Sequence, residues 1–219
     1  LRKVLTNQVI NKLQSMSKNE SETYEKFWEN FGVFIKEGIA SDPSESETLA
    51  PFVRFHTTEQ SEDWTSLSDY VQRMKDGQDK IYFILGDDDR SVARSPHLDY
   101  FRENGYEVVM FTDPMDSFML MGLRNYNDFD LVNVASPDLE LPAAEETKEE
   151  EPQPEKLAEA DFDTLVERFK SQLGERVTDV RATDRLRDSV ARLVDPEGTM
   201  DQEMQRVYRM LDQDFPAPK

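Results

Sequence analysis

Apolar residues at helical spacing open the chain. Leu1, Leu5, Val9, Leu13 and Met16 recur at intervals of three and four, which predicts a helix with one buried face. Tyr24, Phe27, Trp28, Phe31 and Ile35 repeat the stripe and predict a second helix ending near Gly38. Asp42-Pro43 interrupts the pattern, and Leu49, Phe52, Val53 and Phe55 predict a third helical piece. From Ser66 the period changes. A short helical pattern and a turn at Asp76-Gly77 lead into Ile81–Leu85, a continuous apolar run that predicts a strand covered on both faces. Ser95-Pro96 is a favoured helix start, with serine as cap and proline in the first turn, and Gly105 after Asn104 is a favoured stop. Tyr106–Phe111 predicts a second strand, Pro114–Leu123 a helix and Leu131–Val134 a third strand. Strands alternating with helices point to a small α/β layer with a short parallel sheet.

Residues 137–160 differ in kind. Nine acidic residues stand against Lys148 and Lys156, with four prolines and no aromatic residue, too little apolar surface to offset the entropy of ordering. This stretch is expected to be a solvated linker. Beyond it, Phe162, Leu165, Val166, Phe169 and Leu173 predict an amphipathic helix closed by Gly174. Val177–Ala182 and Ser189–Val194 are expected as strands. Thr199 with Gln202 three residues later has the form of a capping box and opens a last helix, striped by Met200, Met204, Val207, Tyr208 and Leu211. The expected class is therefore α/β, α+β overall. A helical bundle spans 1–60, a small α/β unit 61–136, an acidic linker 137–160 and a truncated α+β unit 161–219.

Charge and missing residue types narrow the chemistry. With 46 acidic against 26 basic residues the formal net charge is −20, a poor starting point for nucleic acid, whose binding draws on lysine and arginine displacing counterions. The arginine-dense stretch of Arg176, Arg181, Arg185, Arg187 and Arg192 is interleaved with Asp179, Asp184, Asp188 and Asp195, which cancel most of its field. No cysteine is present, which removes disulfides, thiolate chemistry and cysteine-held zinc and fits a reducing cytoplasm. No apolar run approaches the roughly 20 residues that span a bilayer. His56 and His97 lack metal-site spacing, no G-x-S-x-G elbow exists, and no phosphate-cradling glycine loop occurs among the eight glycines. No catalytic residue, cofactor site or metal site is expected.

One acidic constellation leaves two readings open. Asp87, Asp88 and Asp89 follow the first strand and Asp113 follows the second, where converging carboxylates can hold Mg²⁺ and accept a phosphoryl group as in a receiver domain. Alternatively, Asp87 and Asp113 cap the helices that follow.

Five segments carry a resemblance. TSLSDYVQRMKDGQDKIYFILG at 65–86, YEKFWENFGVFIKEG at 24–38, SPHLDYFRENGYEVVMFTDPMDSF at 95–118, LGERVTDVRATDRLRD at 173–188 and TMDQEMQRVY at 199–208 follow one another as in the ninety-kilodalton heat-shock chaperone family of the bacterial type. The chain resembles the later middle domain and the start of the C-terminal domain. The resemblance implies a fragment of an ATP-dependent, homodimeric, cytoplasmic chaperone. In that family the ATP and its Mg²⁺ are held by a domain that would precede Leu1, and the dimerisation helices would follow Lys219, so neither ATP hydrolysis nor a stable dimer is expected of this piece. Contacts to partly unfolded client proteins carry over to Ser117, Phe118 and Met121, and to Met200, Met204, Val207 and Tyr208. Where the bacterial pattern has Glu-Trp this chain has Ser117-Phe118, a departure that removes the polar part of the contact. Periodicity alone leaves the last helix either packed on its own body or partly exposed. A scaffold segment that binds no client is the remaining alternative.

Overall fold

The computed structural model describes residues 2–136, 139–141, 159–183, 185–186, 189–195 and 202–211. Two antiparallel-running stripes become long helices, α1 (Arg2–Asn19) and α2 (Ser21–Ser41). The first half of the α1 stripe stays open: Leu13 is buried, whereas Leu5 and Val9 are exposed. On α2, Tyr24, Trp28, Ile35 and Ile39 face the core, while Phe31 and Phe34 stack on the outside. The third helical piece is shorter than its stripe. α3 (Ser46–Leu49) passes through a tight turn, and Val53 onward is extended, with Phe55 bridging Thr65 and a short strand β1 (His56–Thr57) following. Pro51 and the bulky Phe52-Val53 pair suit that change of backbone better than a continued helix.

The Ser66 side chain accepts the Asp69 N–H and the Asp69 carboxylate accepts the Ser66 N–H, a capping box that starts α4 (Leu67–Arg73). The central strand β2 (Lys80–Leu85) runs between two parallel neighbours. After it come α5 (Asp89–Val92), α6 (Asp99–Glu103), β3 (Val109–Phe111), α7 (Pro114–Gly122), β4 (Asn125–Tyr126) and β5 (Phe129–Asn133). Gly105, at a φ of +60°, supplies the left-handed residue that stops α6. The sheet order is β1-β3-β2-β5-β4, with β1 and β4 antiparallel edges on a parallel centre. The expected parallel sheet is therefore the middle of a mixed one.

β2 explains its unbroken apolar run. Ile81 and Phe83 face a core shared with α2, α4 and α7, while Tyr82 and Ile84 face a second core with Leu98, Tyr100 and Phe101. Val109 and Phe111 of β3 follow the first side, Val108 and Met110 the second. A strand that buries both faces has no polar side to alternate with.

The signature segment at 65–86 pins these layers together. Tyr70 Oη donates to the Glu107 carbonyl at 2.7 Å and accepts the Tyr82 N–H at 3.1 Å and the Gln78 amide at 3.2 Å. Its one proton and both lone pairs are used. Arg73 grips the buried Glu107 carboxylate with two bonds, Nε to Oε2 at 3.0 Å and Nη2 to Oε1 at 2.7 Å, and Thr57 donates to the same group at 2.7 Å. The run thus joins α4, β2 and the approach to β3.

Past residue 141 the described parts are α8 (Glu159–Leu173), the segments 174–183, 185–186 and 189–195, and α9 (Gln202–Met210). Val177–Ala182 and Ser189–Val194, expected as strands, form none. These stretches contact the α/β body instead: Arg185, between them, donates to the Ser136 and Leu139 carbonyls, and the Ser189 N–H donates to buried Asp99 at 3.0 Å. Most of the expected linker lies outside the described residues, as do Met200 and the Thr199 cap.

Candidate functional site: a packed pair of helices

α7 begins with a capping box in which Asp113 accepts the Met115 N–H at 2.7 Å and Asp116 accepts the Asp113 N–H at 2.9 Å. Its first turn is also held by charge. Lys36, buried on α2, reaches Asp116 at 2.7 Å and Asp113 at 3.2 Å, with its ammonium over the Trp28 ring. Burial pushes the Asp116 carboxyl up to about 6, with Lys36 opposing the rise. At the other end of α7, Gly122 lies against α2 so closely that a Cβ there would sit 2.4 Å from the Ile39 carbonyl oxygen. α2 and sheet together fix α7 in place.

α9 packs on α7. Its buried residues include Glu203, Arg206 and Val207, one helical face at spacings of three and four. Arg206 Nη1 donates to the Gly86 carbonyl at 2.8 Å, and Nη2 pairs with Asp87 at 3.3 Å. Glu203 accepts from Asn133 Nδ2 at 3.1 Å. The anchoring face of α9 is therefore polar at its centre. Of the sequence stripe, Val207 joins the anchoring face, while Met204 and Tyr208 are half-buried and Leu211 is exposed. Periodicity of apolar residues missed Glu203 and Arg206. Their i, i+3 spacing on one face was the available signal, silent until a carbonyl and a carboxamide appear opposite.

The helices that carry the two predicted surfaces, residues 117–121 on α7 and 204–208 on α9, pack on each other. Ser117 is fully buried with its Oγ unpaired, so it offers nothing to a partner in this arrangement. Phe118 is half-buried and Met121 is 40% exposed. Together with Met204, Tyr208 and the exposed Met210, they leave thioethers and aromatic edges accessible on both helices. A cavity of about 200 Å³ opens beside them, lined by Asp87, Arg206, Arg209 and Met210.

The acids after β2 and β3 have structural partners. Asp88, not the expected Asp87, caps α5 by accepting the Arg90 and Ser91 N–H groups, both at 2.9 Å. Asp89 accepts from Thr112 at 2.8 Å, Asp113 caps α7, and Asp87 meets Arg206. Among the described residues no group of three or more histidines and acids is arranged to hold a metal ion. His97 sits on the far side of the sheet, 3.4 Å from Arg192, with burial and that guanidinium holding its imidazole down to about 4.

Comparison with known proteins agrees with this anatomy. A family model described as Hsp90 protein matches residues 1–214. A chaperone protein HtpG of Shewanella amazonensis is 38% identical over 221 residues, covering 100% of this chain and 34% of the relative. One from Halorhodospira halophila is 39% identical over 99% of this chain and 34% of the relative, and one from Mesorhizobium japonicum is 39% identical over 94% and 33%. The chain spans about a third of the length of these relatives. A match across nearly every described element, including the α4–β2 signature and both helices of the packed pair, places this chain in the Hsp90 family.

Proposed function

We propose that this chain holds partly folded proteins through the surface where α7 and α9 meet, as one part of an ATP-driven, homodimeric chaperone of the cytoplasm. The observation that carries the reading is that α7 and α9 pack together while Phe118 and Met121 on one helix and Met204 and Tyr208 on the other are each left partly accessible. Methionine is unbranched and polarisable, so it adapts to unlike apolar partners. Full burial of a large apolar side chain contributes about 1.5–3 kcal/mol, and half-buried groups contribute less. After the cost of association, four such groups give weak, promiscuous binding, which suits a protein that must release what it holds.

In this reading the chain contributes grip and frame, while ATP and Mg²⁺ belong to a part of the longer protein. Among the described residues no helix is long and apolar enough to cross a membrane, in keeping with an aqueous partner. The competing reading is a scaffold that binds no client. A fluorescently labelled, permanently unfolded protein distinguishes them: its anisotropy should rise with added chain at micromolar to millimolar concentration, in proportion to chain added, and a flat titration establishes the scaffold reading.

A further inference from the structure

The geometry points to a receptor cradle for amphipathic helices that carry an arginine between apolar positions, with α9 as its resident occupant. The cradle is made of α7, the Gly86–Asp87 turn and Asn133. This deepens the client-holding reading and rests on it, because the partner it describes would take the α7 half of that surface in place of α9.

Three features of the α9 contact are those of a ligand in a site rather than of a core helix. First, its buried face centres on charged groups, Glu203 and Arg206, rather than on its methionines. Secondly, each of these groups meets a fixed partner: the Gly86 carbonyl lies 2.8 Å from Arg206, at the carboxyl end of the central strand, and Asn133 ends β5 beside it. A backbone carbonyl at a strand end cannot turn away, so it selects a donor by position. Thirdly, a carboxylate faces the guanidinium. Asp87 remains 95% exposed at its side chain while contacting an Arg206 side chain that is only 10% exposed, so the carboxylate is there to greet a cation rather than to fill a core. Guanidinium suits both demands because its planar fork can serve a carbonyl and a carboxylate together. Lysine would satisfy one.

Gly86 tightens the argument. A Cβ at this position would fall 2.0 Å from Val92, so the strand end must stay bare, and its carbonyl stays open to the incoming guanidinium. A helix from a partner that repeats the α9 pattern, with acid and arginine three apart and an apolar residue next to the arginine, would find the same groups. It must displace α9 to do so. Resident and incoming helices therefore compete for the part of α7 that α9 covers.

The test uses the full chain and a synthetic peptide of the α9 sequence, residues 202–211, beside the same peptide with Arg206→Ala. Hydrogen exchange is read separately in the chain's own α7 and α9 segments. In the chain alone both segments should be protected. The intact peptide should speed exchange of resident α9 while α7 stays protected, and the alanine peptide should need at least about tenfold more for the same effect. Asp87→Ala, at a side chain too exposed to support the fold, should speed exchange in α9 without added peptide. Equal potency of the two peptides, or an α9 that is unprotected in the chain alone, overturns the proposal. Client binding that fails while displacement succeeds would instead remove the client-holding reading and leave the cradle standing.

Discussion

Glu107 shows how much a single buried carboxylate can organise. It is almost wholly inside, and its oxygens are held by Arg73 and Thr57 while its carbonyl accepts from Tyr70. Removing one partner of a buried pair costs more than the pair contributes, because the other charge stays desolvated. Arg73 is 37% exposed at its side chain, which moderates the penalty. Arg73→Ala should lose on the order of 2–3 kcal/mol in urea denaturation; a loss within experimental error would mean that Glu107 is held without it. Asp116 gives a second residue-scale expectation. Its carboxyl is raised from 3.8 to about 6, so between those values the native state binds a proton the unfolded chain does not, and this contribution to stability grows as pH falls through 6. His97 works in the opposite sense: lowered from 6.5 to about 4, it costs stability as pH falls through 6.5. The two largely offset each other in the native chain. Asp116→Asn keeps a capping oxygen, removes the titration and leaves Lys36 with Asp113 as its ion partner. The stability gap between native and variant chains should therefore widen toward pH 5, on the order of 1–3 kcal/mol in favour of the native chain; a gap that is constant from pH 7 to pH 5 would contradict the assignment.

At the scale of elements, the contact between α2 and α7 leaves no room for a Cβ at Gly122. Gly122→Ala forces α7 away from the Ile39 carbonyl and should cost about 1–3 kcal/mol, read as a lowered melting temperature; an unchanged melt would show that the helices can part at no cost. The elements themselves were legible to differing degrees. β2 was plain in the sequence because both its faces are buried, leaving no polar position to confuse the run. α7 was legible from Asp113-Pro114, a cap and a first-turn proline. The edge strands β1 and β4 were not, being two residues each. The second of these is held by a hairpin turn whose Asn127 and Asp128 take positive φ, a signal available in the Asn-Asp pair but weak without glycine. The strands expected at Val177–Ala182 and Ser189–Val194 had β-branched residues such as Val177, Val180, Val190 and Val194 but, among the described residues, no neighbouring strand to pair with, and propensity without a partner makes no sheet. For the site, sequence placed residues correctly on α7 and α9 but could not show that the two helices touch. Nor could it show that Arg206, rather than a methionine, makes the anchoring contact, because apolar periodicity is blind to a polar face that meets a carbonyl.

Across the whole molecule the parts divide their labour. The α4–β2 signature, with Tyr70 and Arg73, joins the layers, and its last residue, Gly86, accepts from Arg206 of α9. α2 and the sheet hold α7 rigid, and α9 lies on it by polar anchors that leave thioethers and aromatic edges accessible. A net charge of −20 repels other acidic chains, so general electrostatic attraction does not draw such partners to this surface. The most direct test compares the native chain with a Phe118→Ser, Met121→Ser double variant in binding a permanently unfolded protein, with melting temperature recorded for both. Binding weakened several-fold, with a melting temperature changed by only a few degrees, is the result expected of a holding surface on α7. Undiminished binding by a variant that remains folded would contradict it.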